Sequence, residues 1–142
     1  MSRPKTDKPT GSCPVYKKCG GCQLQNLSYP EQLRFKQSKV IRLLKSFGTV
    51  SPIIGMEHPY HYRNKVQAAF YTDRKGVVRS GVYQSGSHRI VSVESCQIED
   101  KTADSIIAAV RKLLPSFHLT TYNEDTGRGF LRHVLVKRAF AT

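Results

Sequence analysis

No run of this 142-residue chain approaches the roughly 20 consecutive apolar residues that a membrane-spanning helix needs, and no basic segment pairs with an exposed Trp, Phe or Leu insertion face, so no membrane partner is predicted. The opening segment, Met1 to Ser12, also lacks the apolar centre of a secretory leader. It is polar and rich in Lys and Pro, and a flexible basic lead-in is predicted over 1–12. Without an export signal the expected compartment is the cytoplasm, where thiols stay reduced, which disfavours disulfides. Acidic side chains are scarce. Ten Asp and Glu stand against 23 Lys and Arg, leaving a net charge of +13, an excess that suits a polyanionic partner such as nucleic acid and argues against a small soluble electron carrier. No internal repeat is present. Nor is there a glycine-rich strand-to-helix loop of the kind that cradles a nucleotide cofactor, because Gly127-Arg128-Gly129 is a lone G-x-G in a turn. Cysteine is scarce as well, with four in the whole chain.

Those four are not scattered. Cys13, Cys19 and Cys22 form a C-x5-C-x2-C knot, and Cys96 stands alone far downstream. Pro14 and the Gly20-Gly21 pair suit a loop that turns tightly enough for thiolates to converge. Structural zinc usually takes two close cysteine pairs, and only Cys19 and Cys22 make one here. A local trio with a distant fourth ligand is closer to iron–sulfur habit. Spacing alone leaves three readings open, iron–sulfur, zinc and inert thiols. Lys17 and Lys18, inside the knot, could offset the charge of a four-thiolate site.

The remaining pattern is α+β: a mainly antiparallel sheet with two amphipathic helices, the Cys-rich loop at its N-terminal edge. Ser28, Pro30 and Glu31 make a capping box, and Leu33, Val40, Leu43, Leu44 and Phe47 recur at helical spacing up to Gly48. Strands are predicted over 62–72, 77–83 and 88–93, the first two joined through Asp73-Arg74-Lys75-Gly76. Asp100 or Thr102 caps a second helix carrying Ile106, Ile107, Val110, Leu113 and Leu114, with Pro115 ending it. A last hairpin is predicted from 119–122 and 130–140. His58 and His61, flanking Pro59, are read as surface residues rather than a metal pair.

At this point the residues resemble a known family. Cys13-x5-Cys19-x2-Cys22-Gln23-Leu24-Gln25, the Tyr29-Pro30 helix start, Tyr62-Arg63-Asn64-Lys65, Ser87-His88-Arg89-Ile90-Val91 and Cys96 together are similar to the 23S rRNA (uracil-5-)-methyltransferases. The resemblance covers about residues 13–140. It implies that Cys13, Cys19, Cys22 and Cys96 hold a 4Fe-4S cluster of structural rather than redox use. It also implies a plan in which a cluster-bearing central domain, here 13–142, precedes an S-adenosylmethionine-binding methyltransferase domain. In the family reaction a thiolate adds to uracil carbon 6, carbon 5 accepts the methyl group, and a base removes the carbon 5 proton.

With all four cysteines assigned to the cluster, no nucleophile is left, and the chain alone is expected not to methylate. It is expected to be a fragment of the longer enzyme, since it stops at Thr142 directly after a predicted strand. The remaining role is recognition of RNA, with 23S rRNA the implied partner, through phosphates and unstacked bases. Arg63, Lys65 and Arg89 are the preferred contacts. The rival reading is a free-standing zinc-stabilised nucleic-acid module.

Overall fold

The computed structural model describes residues 13–139. The lead-in predicted over 1–12 and the end of the last predicted strand lie outside the described residues. Seven elements run in the order α1 (Tyr16–Cys19), α2 (Tyr29–Leu44), β1 (Lys65–Thr72), β2 (Val78–Tyr83), β3 (Ile90–Ser92), α3 (Lys101–Ser116) and β4 (His133–Lys137). The strands form one four-stranded sheet in the order β3-β2-β1-β4, antiparallel throughout. The predicted α+β class is what the chain adopts, with one helical turn, α1, added inside the cysteine loop.

Alternation along β1 sets the two faces of the sheet. Val66, Ala68 and Phe70 point to one side, and there they meet Ala103, Ile107 and Leu114 of α3 in the buried core. Val78, Val110, Val134 and Val136 close around this cluster. Ser80 is the one fully buried polar side chain among the largest, and Arg111 of α3 donates to it at 3.0 Å. A buried hydroxyl with a partner avoids the desolvation cost of an orphan.

Helix α3 starts where Asp100 Oδ1 accepts the Ala103 N–H at 3.0 Å, so Asp100 rather than Thr102 is the cap. Pro115 does not end it; the proline sits in the last turn. Termination falls to His118, which takes a left-handed φ of 54° while Leu119 N–H reaches back to Leu114 O at 3.1 Å.

Tight turns connect the strands. Between β1 and β2, Gly76 has φ 78° and Asp73 Oδ1 accepts the N–H groups of Lys75 and Val77. The predicted final hairpin does not form. Residues 121–131 make only isolated bridges, Thr121 with Leu131 and Asn123 with Arg128, and β4 pairs instead with β1. Gly129 permits the crossing, since a Cβ there would sit 2.1 Å from Thr121 O.

Helix α2 has its predicted capping box, Ser28 with Glu31, at 2.8 Å and 2.6 Å, yet no residue of it is fully buried. Of its predicted apolar stripe, Val40, Leu43, Leu44 and Phe47 are exposed. The helix that packs on the sheet is α3. In place of a core, α2 meets the extended 51–56 segment, where Tyr29 Oη accepts the Met56 N–H at 2.6 Å and Gln37 donates to Ser51 O at 3.0 Å. The helix also stops at Leu44, short of Gly48.

Candidate iron–sulfur site and basic surface

The cysteine loop is built by short-range bonds. Cys13 O accepts the Tyr16 N–H at 3.1 Å, and Val15 O accepts the Cys19 N–H at 2.8 Å, which winds 16–19 into one helical turn. Gly20 then takes φ 69° and reverses the chain toward Cys22. Close neighbours stand against both glycines, prohibitively at Gly20. A Cβ on Gly20 would lie 2.6 Å from Ser85 Cβ, and one on Gly21 would lie 3.2 Å from Cys19 Sγ. The loop is thereby seated against the turn between β2 and β3.

All four cysteines are free thiols and half-buried. Burial raises the Cys22 thiol above its ordinary value, and the neighbouring Cys19 and Cys13 raise it further, while Arg63 opposes them. Cys22 thus lies within electrostatic reach of Cys19, Cys13 and Arg63. Cys96 stands in the segment between β3 and α3. Its thiol is also raised by burial, and the backbone N–H groups of Ile98 and Glu99, turned toward the sulfur, oppose that shift. Both Cys22 and Cys96 feel the charge of Glu99, the group that the two parts of the set share. Among the described residues, no group of three His, Cys, Asp or Glu side chains is placed to hold a metal ion.

Glu99 was missed by sequence reasoning. It is buried, and its carboxyl is pushed up to about 7 by that burial and by the charge of Asp104, with Arg63 pulling the other way. Asp104 also accepts the Cys96 N–H at 2.9 Å and so fixes the backbone that carries the thiol.

His61 is not the plain surface residue expected. Its Nδ1 lies 2.8 Å from Glu99 O, and its N–H donates to Gln97 O at 2.9 Å. Arg63 N–H donates to Ile98 O at 2.8 Å, and Arg63 O accepts the Asp100 N–H at 3.0 Å. Residues 61–63 thus pair with 97–100 instead of extending β1, and this pairing carries Arg63 to the thiols. Gln25 Nε2 donates to Gln97 Oε1 at 2.7 Å, tying the chain after the trio to the chain after Cys96. A cavity of about 650 Å³ opens beside Cys22, lined by Leu27, Leu33, Ile53, Tyr62 and Arg63 among others.

The three predicted RNA contacts are all exposed but occupy different places. Arg63 stands near Cys22. Lys65 begins β1 directly opposite Lys137 of β4. Arg89 closes the turn between β2 and β3, where its carbonyl accepts the Gln84 N–H at 2.8 Å. None of the three is ion-paired within the described residues.

No family model matches the chain. It is similar to a curated protein of Clostridium acetobutylicum called an uncharacterized RNA methyltransferase, 43% identical over 143 residues, covering 96% of this chain and 31% of that protein. A Clostridium tetani protein of the same description is 43% identical, covering 98% of this chain and 31% of its own length. One from Halalkalibacterium halodurans is 40% identical, with 96% and 31% covered. The chain spans about a third of the length of the curated relatives it matches.

Proposed function

We propose that the chain is the RNA-recognition portion of an RNA methyltransferase that acts on uracil carbon 5 of 23S rRNA, with Cys13, Cys19, Cys22 and Cys96 holding a 4Fe-4S cluster. The observation that carries this reading is the similarity to RNA methyltransferases across nearly the whole chain, aligned with about a third of theirs. The net charge of +13 supports an RNA partner. The donor chemistry supports the cluster. Four free thiols are available, Cys22 feels the charge of Cys19 and Cys13, and backbone N–H groups turned toward Cys96 partly offset the burial that raises its thiol.

When bound, the cluster would supply cross-linking, joining the N-terminal loop to the segment between β3 and α3. The chain's own residues bind and orient RNA beside it. Transfer of a methyl group from S-adenosylmethionine would belong to the part of the relatives that this chain does not span.

Anaerobic purification with iron and sulfide analysis tests the cofactor. About four iron and four sulfide per chain are expected, with Cys96→Ala losing both; a colourless protein carrying one zinc would instead support the zinc-stabilised module. Deleting the gene and mapping 5-methyluridine in 23S rRNA by mass spectrometry tests the activity. One modified position should vanish, and an unchanged set of modifications overturns the uracil-5 assignment.

A further inference from the structure

Helix α3 covers one face of the sheet, and the register defines what stands on the other. Lys65 opposes Lys137, Gln67 opposes Leu135, Ala69 opposes both His133 and Gly81, and Tyr71 opposes Arg79. Tyr83 lies two positions beyond Gly81 on the same side of β2. Among the described residues, α3 is the helix that packs on these strands, against β1, β2 and β4.

Tyr83 from β2 and His133 from β4 reach toward each other across β1, with ring centroids 5.8 Å apart. Ala69, the small residue on β1 between them, is only 2% exposed although it faces away from the core. His88 meets Tyr83 edge-on at 6.3 Å. One carboxylate fixes this group. Glu124 accepts hydrogen bonds from Tyr83 Oη at 2.8 Å and Arg132 at 2.9 Å, and lies 2.9 Å from His88 Nδ1.

A different feature marks the other end of the face. Lys65 and Lys137 are directly opposed cross-strand neighbours, both exposed. Like charges in that position repel, and nothing within the described residues neutralises them. The carboxylate nearest the rings, Glu124, is already occupied by its three partners.

We infer that this open sheet face is a platform for single-stranded RNA, with bases stacking on the Tyr83–His133 pair and the backbone running over Lys65 and Lys137. The inference rests on the RNA-binding reading above and assigns it a surface. The physical grounds are general. A four-stranded sheet with ordered rings on its solvent side can stack two or three unpaired bases, and alternate residues stand about 6.8 Å apart along a strand. Duplex RNA offers no free base faces to such a surface.

The chain has seven tyrosines and no tryptophan, so base stacking is readable as quenching of tyrosine emission. An unstructured oligouridylate and a blunt RNA duplex are titrated into the 142-residue protein across a salt series. The single strand should bind more tightly and quench the emission. Tyr83→Leu should weaken it by about 5- to 150-fold. The double variant Lys65→Ala, Lys137→Ala should lower the log–log salt slope by about 1.4. Gln67→Glu places a negative charge on the same face at an exposed position that the fold does not need, and it should weaken binding with an unchanged melting temperature. If the parent binds RNA and all these variants bind as the parent does, or if duplex binds equally well, the platform is overturned while the RNA-binding reading stands. If the parent binds neither probe, both fall together.

Discussion

Single residues set the chemical tone of both surfaces. Glu124 is exposed to solvent yet held down to about 2 by hydrogen bonds from Tyr83, Arg132 and His88. An acid whose folded value lies below its unfolded one stabilises the folded state above the unfolded value, and that contribution is lost as pH falls through the folded value. The window is therefore between about pH 4.5 and 2. Acid unfolding followed by circular dichroism should steepen there, and Glu124→Gln should flatten that part of the curve. Ring order is expected to weaken over the same window, since the carboxylate is what holds Tyr83 and His88 together. Glu99 shows the reverse environment. It is buried beside Asp104, so its proton is retained to higher pH.

Among the elements, α3 has ends of opposite quality. Its N-cap is satisfied by Asp100, which also pairs with Arg138 at 2.5 Å. Asp100→Ala should cost about 1–2 kcal/mol in urea unfolding. Its C-terminal side has His118 at φ 54°, a conformation that glycine adopts without steric cost. His118→Gly should therefore stabilise the protein by up to about 1 kcal/mol in the same experiment. Local signals of this kind were legible in the sequence: the capping box at Ser28, the Asp73–Gly76 turn, Asp100 as one of two cap candidates and part of the α3 stripe. In that stripe Ile107 and Leu114 are buried as expected, but Ile106 and Leu113 are exposed and Ala103 is buried in their place. What failed was non-local. Residues 119–131 carry turn residues and alternation, but β4 finds its partner in β1, whose Lys65 pairs with Lys137 from the opposite end of the chain. Likewise Tyr62-Arg63-Asn64 reads as strand, yet it is drawn out of β1's register by the segment after Cys96. Spacing singled out the four cysteines as candidates. It could not reveal Glu99 between them or His61 behind it, since neither carries a periodic or motif signal and both are placed by that same crossing.

Across the whole molecule, apolar burial is concentrated between α3 and the sheet, and α2 has little share in it. Phe47 is 85% exposed and Ile54 is 96% exposed, and among the described residues the buried side chains of helices all belong to α3. Helices owe most of their persistence to the packing of one face rather than to intrinsic preference. The two long helices should therefore behave differently when amide hydrogens are exchanged for deuterium. Those of α3 and the β1 centre should exchange only through global unfolding, while those of α2 should exchange through a separate opening that leaves the sheet intact. Equal protection factors in the two helices would count against this division. A helix that opens on its own while the cysteine loop before it stays tied to the sheet is a hinged arm, able to close over whatever next rests against its apolar side.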